Sequence, residues 1–506
     1  MSKALAILGT ASDVGKSLVC AGLGRLLHRK GCDVAPFKSQ NMSLNSYVTV
    51  EGGEMGRAQV LQAQACGVVP HVDMNPILLK PEADHRSQVV VQGKVWGRHD
   101  AQEYFGCRPE LFRFVRESYE RIAARHEILI IEGAGSAAEV NLRNRDLVNW
   151  PVVEMADASV ILVADIDRGG VFAQIIGTLD LLEPHERQRV IGVIVNKFRG
   201  DRRLFDDGVQ ILEERTGVSV LGVVPFLRQL ELDQEDSVTI DSQAGKPFSP
   251  QRINVAVVLL PHMSNFTDFN AIAAEEDVAF HYIKRPDQLK GADVVILPGT
   301  KNTLGDLQYL YAQGFCEFIQ DYGQKGTGEL VGLCGGFQML GKMVADPRGV
   351  EEGGEVPGLG LLDMTSELLP IKHTSQVTAQ PLFLSEGQGC VVKGYEIHMG
   401  MSHRSSGLPC FEIMGRQGEC DGEILLEGMV SSDGLLWGTY IHGVFDEPEF
   451  RRAWLNRLRK RKGLKPLDVA VSETVSRRML TAIDRWASHL EQHVNLQPIF
   501  SYLNIN

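Results

Sequence analysis

The feature that most restricts the fold of this chain is a glycine-rich turn near its N-terminus, GTASDVGKS, at residues 9–17. It follows an apolar run, Ala4–Leu8, and precedes a stretch with helical periodicity. A strand, a glycine-rich turn and a helix in this order predict a phosphate-binding loop, here with one residue more between Gly9 and Gly15 than the common GxxxxGK[ST] pattern has. We expect backbone N–H groups of this loop, including that of Thr10, to cradle phosphate oxygens.

Polar side chains at this and other predicted strand ends complete a nucleotide site. Lys16 would reach the β- and γ-phosphates of ATP, and the Ser17 hydroxyl would lie on Mg²⁺. Glu132 ends the apolar run ILIIE, and a carboxylate at the carboxyl end of a parallel strand suits the same ion. We expect Lys38 to neutralise a transferred phosphoryl group. The Asn196 amide could bind an adenine edge.

The pattern of apolar runs predicts an α/β fold with two doubly wound, mainly parallel-sheet domains, because continuous apolar runs alternate with amphipathic stretches. A polar, acidic, proline-containing segment separates the two series and reads as a linker. After Gly358, shorter glycine-rich segments indicate added antiparallel strands. The expected units are an ATP-binding synthetase domain at 1–232, a linker at 233–250, an amidotransferase domain at 251–447 and a helical tail at 448–506 packed on that second domain.

The composition narrows the class of partner. Acidic residues outnumber basic ones, 64 to 51, for a net charge of −13, which argues against nucleic acid or an anionic membrane as the main partner. No run of apolar residues is long enough to span a bilayer. Nine cysteines without a CxxC pair suggest free thiols in a reducing compartment, so we expect a cytoplasmic protein.

A second constellation surrounds Cys334, within LVGLCGGFQML. An apolar strand runs into a glycine-flanked cysteine and then a helix, which is the pattern of a nucleophile elbow that projects the thiol from a tight turn. A thiol nucleophile needs a base, and His442, at the end of the strand-like LLWGTYIHG, is the candidate. His398, in GYEIHMG, is the alternative.

Main-chain N–H groups near this thiol could stabilise an oxyanion. Gly299 and Thr300 follow another predicted strand, in VVILPGTKNT, and Gly335 directly follows the nucleophile. Together with the ATP site, this arrangement indicates a chain that releases ammonia from glutamine and uses ATP to activate a carboxylate as an acyl phosphate.

Over nearly its whole length the chain resembles the cobyric acid synthase family, glutamine-hydrolysing amidotransferases of cobalamin biosynthesis. Its N-terminal part looks like dethiobiotin synthetase, with its lengthened phosphate loop, and its C-terminal part resembles class I glutamine amidotransferases. The segments that carry the resemblance are GTASDVGKS, PFKSQNMSLNS, EMGRAQ, MNPILLKP, EGAGS, ADIDRGGVFA, NKFRGD, NFTDFNA, LPGTKNTLGDL, GLCGGFQMLG, GYEIHMG and GTYIHGVFD.

The resemblance implies amidation, with ATP and glutamine, of four peripheral carboxylates of adenosylcobyrinic acid a,c-diamide. It places Gln338 at the glutamine-contacting position and gives Cys334 and His442 the nucleophile and base roles. The corrinoid would be a substrate, because the DxHxxG motif that ligates cobalt is absent from the sequence. The oligomeric state stays open, a homo-oligomer included.

One departure from the class I pattern concerns the residue that orients the base. The usual glutamate two residues after the histidine is Val444 here, a feature shared with the cobyric and cobyrinic acid amidating group. Asp446 and Glu396 are the candidates from sequence. Competing interpretations are a cobyrinic acid a,c-diamide synthase, a dimeric ATPase switch, disfavoured by Ala11 where such switches carry lysine, and a binding module with an inactive thiol site.

Two basic features have less defined expectations. The tail segment EFRRAWLNRLRKRKG is predicted to be a helix with a solvated basic face. Six basic residues of the first half would suit a polycarboxylate if the fold gathered them, namely Arg57, Lys80, Arg86, Arg143, Arg145 and Arg168.

Overall fold

The computed structural model describes residues 2–83, 86–228, 230, 247–384, 389–416 and 425–505. Most of the predicted linker, 233–250, lies outside the described residues, which resume at position 247. Of the described helices, none combines the length and apolarity needed to cross a bilayer.

The described residues of the first half form twelve strands and eight helices. The strands are β1 (Lys3–Gly9), β2 (Val34–Phe37), β3 (Gln40–Met42), β4 (Ser46–Val48), β5 (Glu54–Gly56), β6 (Ile77–Ala83), β7 (Arg86–Val91), β8 (Lys94–Asp100), β9 (Ile128–Glu132), β10 (Ser159–Asp165), β11 (Val190–Phe198) and β12 (Val220–Pro225). The helices are α1 (Lys16–Arg29), α2 (Arg57–Ala65), α3 (Ala101–Gly106), α4 (Arg108–Ala123), α5 (Trp150–Met155), α6 (Val171–Leu181), α7 (Pro184–Arg187) and α8 (Asp206–Thr216).

The first domain is built on a six-stranded sheet in the order β12–β11–β10–β1–β9–β2. All of its strand pairs are parallel. Both faces are covered by apolar packing, which explains why its strands read as continuous apolar runs. The doubly wound sheet predicted from those runs is confirmed, and the carboxyl ends of β1, β9 and β11 carry the nucleotide-site candidates.

In the second half, the part of the chain that the structure describes adds fifteen strands and seven helices. The strands are β13 (Ile253–Val258), β14 (Val278–Ile283), β15 (Val294–Leu297), β16 (Glu329–Leu333), β17 (Met343–Asp346), β18 (Gly354–Pro357), β19 (Met364–Glu367), β20 (His373–Pro381), β21 (Val392–His398), β22 (Met401–Arg404), β23 (Phe411–Arg416), β24 (Leu425–Glu427), β25 (Met429–Val430), β26 (Leu436–Thr439) and β27 (Ile441–His442). The helices are α9 (Asn270–Ala273), α10 (Thr303–Ala312), α11 (Phe315–Lys325), α12 (Gly335–Leu340), α13 (Pro448–Arg461), α14 (Val475–His493) and α15 (Gln497–Leu503).

The second domain repeats the plan with the strand order β14–β13–β15–β16–β26–β25, parallel except for the β25–β26 pair. A five-stranded antiparallel sheet, β24–β23–β20–β21–β27, covers it and accounts for the glycine-rich segments after Gly358. The prediction of a second parallel-sheet domain with antiparallel additions is therefore confirmed.

The C-terminal tail joins the two domains, which differs from the prediction that it packs on the second alone. Helix α13 buries Phe450 and Trp454 in the second domain, but α14 lies on α1 of the first. The indole N–H of Trp486 donates to the carbonyl oxygen of Leu18 at 2.6 Å. Gly22 permits the close approach, since a Cβ there would lie 2.3 Å from Leu490 Cδ1. The apolar face of α14 thus covers the first domain.

The expected solvated basic face of α13 is wrong at its first turns. Arg451 and Arg452 are almost fully buried, and both guanidinium groups bind Glu275. Arg452 also pairs with Asp277 at 3.0 Å. Burial of these arginines is tolerated because the carboxylates accept hydrogen bonds from the guanidinium N–H groups. The sequence pattern does not reveal this pairing.

Candidate active sites

The phosphate loop is held in shape by close backbone packing. Gly15 has φ of 100°, a left-handed conformation, and a Cβ there would lie 2.3 Å from the Asn196 side chain. Asn196 in turn donates to the carbonyl oxygen of Val14 at 2.9 Å. The amide predicted to bind adenine therefore braces the loop. At the start of the loop, a Cβ on Gly9 would lie 2.9 Å from Lys16 Nζ. The Thr10 N–H donates to the carbonyl oxygen of Val163 in β10.

Lys16 lies across the loop it belongs to. Its ammonium donates to the carbonyl oxygens of Ala11 and Gly135, both at 2.9 Å. Burial lowers the pKa of Lys16, and the Glu132 carboxylate partly opposes this effect. Because main-chain carbonyls are weak partners for a cation, a phosphate anion would compete well for this ammonium.

Glu132 is the centre of a buried polar cluster. One of its oxygens accepts from the Ser17 hydroxyl at 2.7 Å and from the Lys38 ammonium at 2.9 Å, and the other accepts from Gln62. Burial alone would raise the pKa of Glu132, but Lys38 and these hydrogen bonds outweigh it and lower the pKa. Lys38, predicted as a phosphate ligand, is thus brought to the same cluster.

The donors of this cluster fit Mg²⁺, which prefers oxygen ligands. Ser17 and Glu132 supply a hydroxyl and a carboxylate at the start of α1. Gln62 Oε1 is buried and has no hydrogen-bond partner among the described residues, so a further hard oxygen is available there. Gln62, which the sequence analysis did not single out, lies three residues after the segment EMGRAQ.

The thiol site is a tight turn between β16 and α12. Cys334 has φ of 51° and ψ of −109°, a strained conformation for a residue with a side chain. A Cβ on Gly336 would lie 2.1 Å from the carbonyl oxygen of Leu297, and one on Gly332 would lie 2.7 Å from Gly336 O. Only glycine fits two residues before and two residues after the cysteine, which is the geometry expected of a nucleophile elbow.

His442 lies beside this thiol and is oriented by an acid that the sequence analysis missed. Its Nδ1 is 2.7 Å from Asp268 Oδ2, and both side chains are 1% exposed. The Gly443 N–H donates to the other Asp268 oxygen. The Cys334 thiol donates to the carbonyl oxygen of Ile397 at 3.7 Å and is close enough to His442 to contribute to the rise of its pKa. Burial lowers the pKa of His442, but Asp268 outweighs it, and the pKa rises to about 10.

The two acids suggested by sequence for this role are wrong. Glu396 instead pairs with Arg416 at 2.8 Å and lies 3.2 Å from His373. Asp446 follows His442 in the chain, but Asp268 takes its Nδ1. The only earlier sign of Asp268 was its place in the quoted segment NFTDFNA.

The predicted oxyanion and glutamine residues gather around the same thiol. A Cβ on Gly299 would lie 3.1 Å from His442 Cε1 and 3.6 Å from Cys334 Cβ, and one on Gly335 would lie 3.2 Å from the Thr300 nitrogen. Gln338 is fixed by hydrogen bonds with Tyr440 and Thr303. A cavity of about 40 Å³ at the domain boundary is lined by Thr300, Cys334, Gly335 and Gln338, and also by Lys80 of the first domain.

His398 lines the cavity too, but its bonding differs from that of a base. Its Nδ1 lies 2.9 Å from the carbonyl oxygen of Gly400, and its ring stacks on Tyr440. Burial lowers the pKa of His398 to about 4, so it stays neutral where His442 is charged. The geometry favours His442 of the two.

The six basic residues considered for a polycarboxylate do not form one cluster. Lys80 is buried on Glu54, Arg168 pairs with Asp13 and Arg143 pairs with Glu183 and Glu186. Arg57 lies over Tyr47, and Arg145 over Phe105.

Comparison with known proteins supplies the family. A domain described as a CobB/CobQ-like glutamine amidotransferase domain matches residues 254–450, and an AAA domain matches residues 3–234. The cobyric acid synthase of Syntrophobacter fumaroxidans is 48% identical over 507 residues, 98% of each chain. That of Klebsiella pneumoniae is 48% identical over 511 residues, 99% of this chain and 98% of its own. The chain belongs to the cobyric acid synthase family.

Membership in the cobyric acid synthase family makes the chain a glutamine-hydrolysing, amidating ligase of cobalamin biosynthesis. Among solved structures, a glutamine amidotransferase with 15% identity covers 42% of this chain and 99% of its own, with a TM-score of 0.30. The signal recognition particle receptor FtsY of Elizabethkingia anophelis has 17% identity, covers 44% of this chain and 58% of its own, and has a TM-score of 0.27.

Proposed function

We propose that this chain amidates the b, d, e and g carboxylates of adenosylcobyrinic acid a,c-diamide to give adenosylcobyric acid, using ATP and glutamine. The observation that carries the proposal is the Cys334–His442–Asp268 arrangement in one chain with a phosphate loop. The names of the relatives support the product class. The eight described cysteines are all free, which suits a reducing cytoplasm.

In the glutaminase half-reaction, His442 holds the thiol proton as an imidazolium, and the Cys334 thiolate attacks the γ-carbonyl carbon of glutamine. The N–H groups of Thr300 and Gly335 would stabilise the oxyanion. The carbon–nitrogen bond breaks, His442 gives the proton to the leaving ammonia, and a thioester remains. Water then cleaves the thioester, releasing glutamate and restoring the thiol. Asp268 stabilises the imidazolium that forms in both steps.

In the synthetase half-reaction, a substrate carboxylate oxygen attacks the γ-phosphorus of ATP and ADP leaves. Ammonia attacks the resulting acyl phosphate, and inorganic phosphate departs. Lys16 and Lys38 neutralise charge on the transferred group. Ser17 and Glu132 would hold Mg²⁺, which would supply positive charge to offset that of the phosphate groups.

We assign the synthetase half-reaction to residues 1–232 and the glutaminase half-reaction to 251–447, with 233–250 as the linker. Within the tail, 448–506, we assign α13 to the second domain and α14 to the first, which their apolar contacts support.

The test is mass spectrometry of the products formed from adenosylcobyrinic acid a,c-diamide, Mg-ATP and glutamine. Each amidation replaces OH by NH₂, and four such steps, dependent on ATP, are expected. Amidation starting instead from cobyrinic acid would identify the a,c-diamide synthase, and ATP hydrolysis without any mass change would point to another acceptor.

A second experiment tests the division between the half-reactions. Cys334→Ala is expected to abolish glutamine-driven turnover but to retain turnover with high ammonia. Cys316→Ala, a buried cysteine of α11 away from the site, is the matched control and should keep both. Loss of both activities in Cys334→Ala alone would contradict the assignment.

A further inference from the structure

Ser46 of the first domain is fully buried, and each of its polar groups is bound by a different side chain. Its N–H donates to Asn265 Oδ1 at 3.1 Å, and its carbonyl oxygen accepts from the Tyr395 hydroxyl at 3.1 Å. Its hydroxyl accepts from Lys80 at 2.9 Å. Two of these three partners, Asn265 and Tyr395, belong to the second domain.

Both of those partners also touch the proposed base. Asn265 Nδ2 lies 3.3 Å from His442 Nε2, and the Tyr395 ring stacks on the His442 ring at 5.4 Å with an interplanar angle of 20°. Asp268 holds the opposite nitrogen. The imidazole is therefore contacted at both nitrogens and on one face, and two of the three contacts lead to Ser46. The Asn265 contact is a hydrogen bond when Nε2 is unprotonated.

The loop that carries Asp268 is fastened to the first domain at a second point. The Phe266 N–H donates to Asn45 Oδ1 at 3.1 Å, and the Asp268 N–H donates to Asn265 O at 3.0 Å. Asn265 itself has φ of 52°, a left-handed conformation that asparagine tolerates. Asn45 and Ser46 together fix the start of this loop.

The geometry points to Asn265 as a positioning residue that sets His442 against the Ser46 main chain, so that the ATP domain fixes the base of the glutaminase. This inference rests on the proposed roles of Cys334 and His442. The segment that ends at Ser46 begins at Lys38, which binds Glu132 in the nucleotide site. A change at the nucleotide site thus has a short covalent route to the glutaminase base.

Asn265 also has a definite effect on the protonation of His442. Its Nδ2 carries only hydrogens, so it stabilises an unprotonated Nε2 and opposes a protonated one. The ionisable groups facing His442 are Asp268 and Cys334, which raise its pKa, His398, which is neutral, and Tyr395, whose own pKa burial raises well above 10. Removing Asn265 should therefore raise the pKa of His442.

The test compares Asn265→Gly and Asn265→Asp with the unaltered enzyme, measuring glutamine hydrolysis across pH and ammonia-driven amidation. Asn265→Gly keeps the left-handed backbone but loses both contacts. We expect kcat/KM for glutamine to fall about tenfold or more, the loss that one or two hydrogen bonds produce. In the pH profile of kcat/KM, the alkaline limb, where activity is lost as pH rises, should move to higher pH by about half a unit to one unit. Ammonia-driven amidation should change by less than about twofold.

Two further variants make the result specific. Asn265→Asp keeps the acceptor for Ser46 and places a carboxylate at Nε2, so it should move the alkaline limb further than glycine does. Asn504→Gly removes an exposed asparagine with φ of 59° from the end of α15 and should match the unaltered enzyme. Unchanged kcat/KM and an unchanged pH profile in Asn265→Gly would overturn the inference.

Asn45→Ala tests whether the first domain fixes the base, because Asn45 accepts a hydrogen bond from the loop, at the Phe266 N–H. We expect lower kcat/KM for glutamine with ammonia-driven amidation retained. No effect on glutamine use, or an equal loss of both activities, would contradict the inference. Cys334→Ala, assayed alongside, distinguishes a failure of the positioning role of Asn265 from a failure of the proposed glutaminase site. Glutamine hydrolysis that survives in Cys334→Ala would refute the glutaminase site itself.

Discussion

Replacing Asp268 by asparagine tests the assignment of the base and its partner. The pKa of His442 is raised from 6.5 to about 10, a difference of about 3.5 units, although burial opposes the rise. At about 1.4 kcal/mol per unit, the imidazolium is favoured by up to about 5 kcal/mol, shared between Asp268 and the Cys334 thiolate. The substituted amide would retain a hydrogen-bond acceptor but lose the charge.

We expect Asp268→Asn to lower kcat/KM for glutamine by about 10²–10³-fold, since only part of the imidazolium charge is present in the transition state. Because the folded-state pKa of His442 would fall, the alkaline limb should move to lower pH. Glutamate release, measured across pH with saturating ATP and substrate, gives both quantities. Ammonia-driven amidation should be retained, because Asp268 does not contact the nucleotide site.

Asp446→Asn is the matched control, since Asp446 is the nearest acid after His442 in the chain. Its kcat/KM should stay within about twofold of the unaltered enzyme. If Asp268→Asn had a normal kcat/KM for glutamine and Asp446→Asn were strongly impaired, the assignment of Asp268 as the partner of His442 would be refuted.

Two other substitutions probe the nucleotide site and the domain boundary. Lys16→Ala should block amidation from glutamine and from ammonia, and full ammonia-driven activity would remove Lys16 from phosphate chemistry. Glu54→Gln leaves Lys80 and Lys372 without their buried carboxylate and should destabilise the protein by about 3–5 kcal/mol, seen as a lower melting temperature. Burial alone would raise the pKa of Glu54, but the two ammonium groups lower it. The stabilisation is therefore present above the ordinary pKa of 4.5 and lost as pH falls. An unchanged melting temperature at neutral pH would contradict this.

The parts of the molecule that the sequence predicts well are those determined by local patterns. A strand buried on both faces must be apolar throughout, so Ile128–Ile131 and Val294–Leu297 are visible as strands without knowledge of their neighbours. The loop around Lys16 and the turn at Cys334 need glycine at fixed positions for backbone reasons. Such constraints act within about ten residues and can be recognised from a single sequence.

Contacts between segments that are far apart in the sequence cannot be predicted from local patterns. Asp268 meets His442 because the loop before α9 lies beside β27, 174 residues further along the chain. Nothing local distinguishes Asp268 from Asp446, which is nearer in sequence. The same applies to α14: its apolar face predicts a buried helix but does not identify which domain it covers.

The domain boundary is where a domain-by-domain interpretation of this chain fails. Lys80 of the first domain lines the cavity that contains Cys334, and Glu54 of the first domain binds Lys372 of the second. Buried charges of this kind are costly unless both partners are present, so the two domains must fold against each other for either set to be satisfied. The cavity proposed to bind glutamine is consequently a product of both domains, although the proposed nucleophile, base and orienting acid all come from one.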